Sequence, residues 1–114
     1  MTVTLIVEDG SGVVDANTYI TVAEAKAYAE NRGVTLGSDD AIAANLVLAA
    51  DYMETTGPYK GYVYSSDQGL EFPRKETSGG PSLGIPSDIK KAQAQLLIDI
   101  KESGALMTSS RQFA

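Results

Sequence analysis

All four prolines of this 114-residue chain, Pro58, Pro73, Pro81 and Pro86, fall within residues 57–86. Proline lacks a backbone N–H and clashes with the turn before it, so no long helix can run through that stretch. Helices are therefore confined to the flanks. On the N-terminal side, Thr21-Val22-Ala23-Glu24 is a capping-box pattern: the Thr21 hydroxyl can accept from the Glu24 amide, and Glu24 can reach back. Ala23, Ala25, Ala27 and Ala29 favour the helix and Gly33 stops it, which predicts a helix over about 22–32. Ser38, Asp39 and Asp40 offer caps for a second helix over about 41–55, with Ile42, Leu46, Ala49, Ala50 and Met53 on one stripe. Val47 and Leu48 widen that stripe to most of the circumference. Such a helix is central in the core or covered by a partner. Beyond Pro86, Ser87 is the expected N-cap of a third helix over about 88–103, with Ile89, Ala92, Gln93, Leu96, Leu97 and Ile100 on its buried stripe and Gly104 as its stop.

Two shorter segments read as extended. Residues 3–7 are rich in β-branched side chains and run into the turn cluster Glu8-Asp9-Gly10-Ser11-Gly12. Tyr62-Val63-Tyr64 is a second short strand, able to pair with the first. The expected fold is mainly α: three main helices, a minor β element near 3–7, and a long ordered loop over 57–86. A loop of about thirty residues exceeds the usual length of a structureless connection, so it is functional or ordered by a partner. The domain spans 1–104. Residues 105–114 have Leu106, Met107 and Phe113 but no periodicity, and read as a C-terminal arm or a disordered tail.

Composition narrows the chemistry. There is no Cys and no His, which removes disulfides, thiolate zinc sites, Cys nucleophiles and every imidazole-based scheme. Nine basic and fifteen acidic residues give a net charge of −6, the reverse of the usual nucleic-acid footprint. No apolar run approaches the ~20 residues needed to cross a bilayer. The N-terminus has no basic region before its apolar residues, so no signal peptide is read and synthesis in the cytoplasm is expected. The Glu8–Gly12 cluster lacks the lysine of a phosphate loop and the distal glutamate of a calcium loop, and reads as a turn. Asp39-Asp40 reads as a helix start rather than a metal site. No Gly-x-Ser-x-Gly occurs, and no constellation supports an enzyme, a metal or a cofactor.

The remaining candidates are surfaces. Tyr59, Tyr62 and Tyr64 could stack on bases, but only Lys60 is interleaved with them, which favours burial or a protein interface. Asp51 and Glu54 sit near the C-terminus of the second helix and Lys90-Lys91 near the N-terminus of the third, each against the local dipole. Either solvent and Asp88 compensate, or these ends face opposite charges on a neighbouring subunit.

The order of several segments carries a resemblance. Leu5-Ile6-Val7-Glu8-Asp9-Gly10 is followed by Ala16-Asn17-Thr18-Tyr19-Ile20, then Val22-Ala23-Glu24-Ala25, Ala49-Ala50-Asp51-Tyr52-Met53, Gln68-Gly69-Leu70-Glu71-Phe72-Pro73-Arg74 and Ile85-Pro86 with Ile89-Lys90-Lys91-Ala92-Gln93. This pattern, over residues 5 to about 100, resembles the head–tail connector (adaptor, or head-completion) proteins of tailed phages, a family also described as DnaT-like single-stranded-DNA-binding proteins. The resemblance implies a virion neck protein: a homo-oligomeric, commonly dodecameric, ring between the portal protein and a stopper or tail-completion protein, with packaged DNA passing through. It departs from the family in having Phe72 where relatives often carry Trp, and in stopping at Ala114. On this reading Leu70, Phe72, Pro73 and Arg74 are expected interface anchors, joined by Tyr59, Tyr62, Tyr64, Lys90, Lys91, Leu106, Met107 and Phe113. The alternative is a single-stranded-DNA-binding module, which salt-dependent affinity would reveal.

Overall fold

A computed structural model describes residues 3–55, 59 and 61–103. The elements in chain order are α1 (Val22–Glu30), α2 (Asp39–Glu54), β1 (Tyr62–Val63), β2 (Arg74–Lys75) and α3 (Ser87–Ser103). The architecture is mainly α with a minor β element. Residues 104–114, including Gly104 and the expected arm with Leu106, Met107 and Phe113, lie outside the described residues, as does Lys60.

The caps act locally as the sequence predicts. Thr21 Oγ1 accepts from the Glu24 amide at 3.1 Å, and Glu24 Oε1 accepts from the Thr21 amide at 2.9 Å. Helix α1 stops at Glu30, two residues earlier than its pattern suggests. Gly33, at φ 73°, reverses the chain so that the Val34 amide returns to the Ala29 carbonyl. Ser38 caps α2 by accepting from the Ala41 amide, and Asp39 and Asp40 occupy its first turn. Asp39 also meets Lys26 Nζ at 2.6 Å, tying α2 to α1. Ser87 is the first residue of α3 rather than its cap.

The core lies where α3 crosses α2, with α1 against both. Ile42, Leu46 and Ala50 from α2 meet Ala94 and Leu97 from α3, and Tyr19 and Ile20 enter from the segment before α1. Ala25 and Ala29 are fully buried, and their small size permits α1 to approach closely. The broad apolar surface of α2 is mostly covered from within the chain, and Leu48 is its large side chain left outward. Gln93, in the middle of the α3 stripe, is fully buried. Its Oε1 accepts from the Tyr19 amide, and its Nε2 donates to Thr18 Oγ1 and the Leu46 carbonyl, all within 2.8–2.9 Å. These partners offset the cost of taking the amide out of water, and the bonds fix the register of three segments.

The β content is placed differently from the expectation. Residues 3–7 form no strand; Val7 alone makes an isolated parallel bridge, to Thr18. Asn17 takes the role of a partner strand: its Oδ1 accepts from the Ile6 amide, its Nδ2 donates to the Thr4 carbonyl, and its own amide reaches the Ile6 carbonyl. With that backbone satisfied, Tyr62–Val63 pairs instead with Arg74–Lys75, antiparallel, Tyr62 opposite Lys75 and Val63 opposite Arg74. Closing that short loop costs less chain entropy than reaching back to residues 3–7.

The proline-rich stretch is ordered by its own polar groups and by the N-terminal segment. Gln68 accepts from the Ser65 amide and donates to the Leu70 and Pro73 carbonyls. Gly69 passes so close to Ala16 that a Cβ there would run into the Ala16 backbone. Ser82 Oγ donates to the Gly10 carbonyl, and the Leu83 amide to the Arg74 carbonyl. The Glu8–Gly12 cluster is a turn closed around a carboxylate. Glu8 is 1% exposed and accepts from the amides of Gly10, Gly12 and Val13 at 2.7–2.9 Å. Gly10 and Gly12 adopt positive φ, which lets the chain curl about it. No helix among the described residues is long and apolar enough to cross a membrane.

Candidate nucleic-acid interface

The aromatic and Phe-Pro-Arg residues singled out in the sequence form an internal knot at the end of α2. Leu70 and Pro73 are buried, and the Phe72–Pro73 peptide bond is cis. The Phe72 ring meets Tyr59 edge-on at 4.8 Å and Tyr19 at 6.2 Å between centroids. Tyr59 Oη donates to the Met53 carbonyl. Arg74 is 9% exposed. Its Nη1 donates to Glu71 Oε1 at 2.7 Å and to the Glu71 carbonyl, and its Nη2 donates to the carbonyls of Tyr59 and Gly61. Tyr19 Oη accepts from the Phe72 amide and donates to Glu54. Burial pushes the Tyr19 phenol up. Burial also holds the Glu54 carboxyl above its ordinary value; the charges of Glu71 and Asp51 push the same way, against hydrogen bonds from the Glu71 amide and Tyr19.

The three tyrosines therefore make no row. Tyr59 packs on Phe72, Tyr64 lies half-buried beside Gly12, and Tyr62 is 55% exposed. Val14, Val63 and Leu83 are likewise exposed, and these side chains give the loop-built part an outward apolar character.

Lys90 and Lys91 fare differently. They stand at the start of α3 and, with Ile20, Glu24, Tyr28 and Ala94, line a shallow groove of about 160 Å³ between α1 and α3. Tyr28 crosses the seam by donating from Oη to Gln95 Oε1 at 3.2 Å. The Arg32 guanidinium lies 3.6 Å from the centre of the Tyr28 ring, and its Nη1 donates to the Tyr28 carbonyl. Glu24 is engaged in the α1 cap. Lys26, Arg74 and Lys101 each have a carboxylate within 4.0 Å. Among the described residues Arg32, Lys75, Lys90 and Lys91 have none; Lys90 and Lys91 line this one groove, and Arg32 lies over Tyr28, which lines it too. An otherwise acidic chain is thus locally cationic there. Lys90, in the first turn of α3, also opposes its dipole, at about 0.3–1 kcal/mol, a cost that an anion in the groove would relieve.

A larger hollow of about 250 Å³ lies at the α1–α2 connection, lined by Lys26, Glu30 and Val34–Gly37. Lys26 is already paired there with Asp39, and the lining offers no further chemistry. Among the described residues no group of three or more acidic side chains could hold a metal.

Sequence reasoning named the lysine pair but missed Tyr28 and Arg32. Their spacing of four places them on one helical face, and that was the available signal. What the sequence does not display is that α3 would bring Lys90 and Lys91 alongside.

No curated protein and no solved structure matches the chain. A family model described as "Putative DnaT-like ssDNA binding protein" matches residues 3–114, almost the whole length, and the chain belongs to that family.

Proposed function

We propose that this protein binds single-stranded DNA, without turnover, through a small cationic surface rather than a whole-protein basic field. The observation that carries this reading is the family match over residues 3–114. It favours what the sequence analysis held as the alternative. The net charge of −6 argues for weak, local binding, because most of the surface repels phosphate. The α1–α3 groove supplies cations without carboxylate partners in one place. The test is fluorescence anisotropy of a labelled oligo-dT with the full chain at 20 and 200 mM salt. Binding at low salt that weakens steeply at high salt is expected. No anisotropy change at 20 mM salt with tens of micromolar protein would overturn the reading.

The head–tail connector is the second reading. Its specific support is the outward apolar set Val14, Tyr62, Val63 and Leu83, which sister subunits, a portal protein or a stopper protein could cover. An acidic ring wall would let packaged DNA slide in a virion neck. The mass of the protein in solution, alone and with a portal protein, tests it. A ring-sized species that ignores oligo-dT would place this reading first.

A further inference from the structure

We infer that the α1–α3 groove holds a nucleotide of a single strand, with backbone phosphate on Lys90 and Lys91 and a base laid flat on the stacked Arg32–Tyr28 pair. This assignment rests on the single-strand reading above and says where on the molecule it occurs.

Three observations converge. Lys90 and Lys91 line the groove with no carboxylate partner among the described residues, and Glu24, the acidic lining residue, is committed to the α1 cap. The Arg32 guanidinium sits 3.6 Å over the ring of Tyr28, a lining residue of the groove, and the pair offers a charged platform beside it. Unpaired bases stack on aromatic rings and on guanidinium planes. Tyr28 is fixed by its bond to Gln95, so the platform is pre-oriented. The groove floor, Ile20 and Ala94, is apolar.

Together these favour a ligand that is anionic at one end and flat at the other. An acidic peptide would satisfy the lysines but has no use for the platform. A paired base cannot lie on it without leaving its stack, so the site prefers single strands over duplex.

The test is a salt series of anisotropy titrations with labelled dT10 on the full chain, wild type and variants, with thermal unfolding monitored to confirm folding. Three cation contacts predict a log–log salt slope of about −2. In Lys90→Glu/Lys91→Glu the slope should fall to about −0.7, with affinity reduced at least tenfold at low salt. Arg32→Lys keeps the charge and loses the plane. It should leave the slope unchanged while weakening binding about three- to tenfold, a pattern that neither a purely electrostatic nor a purely structural role produces. Tyr28→Leu should behave like Arg32→Lys, and Tyr28→Phe, which keeps the ring and loses only the bond to Gln95, should weaken binding less than Tyr28→Leu. If the wild type binds dT10 but the double reversal and Arg32→Lys bind equally well, the site assignment falls and the single-strand reading stands. If the wild type does not bind, both fall. If a polyglutamate peptide at equal charge displaces dT10, the groove is a general anion site and the base platform is refuted.

Discussion

Arg74 and the Lys90–Lys91 pair stand out equally as cations in the sequence, yet the structure uses them in opposite ways. Arg74 is buried and turns every donor it can toward its own chain: one carboxylate and three carbonyls from residues 59–71. Lys90 and Lys91 keep their charge at the surface, in one groove with the α1 ring of Tyr28, which in turn carries the Arg32 guanidinium. The planar fork of arginine suits it to the first task, since several acceptors at fixed angles can be met at once. The lesson is that a cation's neighbours in space, and not its neighbours in sequence, decide whether it serves folding or recognition.

The contrast can be broken most directly at Arg74. Arg74→Ala strands the Glu71 carboxylate and three carbonyls, and should lower stability by about 3 kcal/mol. Urea unfolding would read this as a shifted midpoint. DNA affinity per folded molecule should not change, and a midpoint equal to wild type would end the distinction. A smaller effect is expected at Glu54, beside the same knot. Its folded-state pKa is raised, chiefly by burial, so folding favours the protonated form and the charged form destabilises. That destabilisation is absent below the ordinary carboxylate range and develops as pH rises through the folded value. Glu54→Gln should therefore be more stable than wild type at pH 7, by less than about 1 kcal/mol given partial exposure, and no more stable at pH 4. An advantage that persists unchanged at pH 4 would contradict this. The smallest effect belongs to the lysine pair. Lys90→Glu/Lys91→Glu should unfold within about 0.5 kcal/mol of wild type or slightly above it, because an acidic group suits the first turn of a helix, where position 90 lies. A large loss of stability would show that these lysines serve the fold after all.

The three helices were legible because their signals are local: the Thr21–Glu24 box, Ser38, the alanine run and the stripes of α2 and α3. Of the β element, the Tyr62–Val63 strand was legible but its partner was not, because strand pairing depends on what else a backbone can find. Asn17 satisfied residues 4–6 with its side chain, an option that a β-branched run does not advertise. Gln93 was read as one residue of a hydrophobic stripe, since its burial makes sense only with Thr18 and Leu46 in place. Half of the candidate groove was visible as Lys90-Lys91. Tyr28 and Arg32 read as unremarkable residues of the helix expected over 22–32, and no rule of spacing within one helix reveals which other helix lies beside it.

The bonds of Gln93 set one more condition. They span 74 and 75 positions back to Tyr19 and Thr18, and 47 to Leu46. Helix α3 is therefore the clasp for segments made well before it. A nascent chain emerging from the ribosome cannot settle Thr18 and Tyr19 until Gln93 arrives, and the Tyr19 amide proton can exchange with solvent only when that clasp is released.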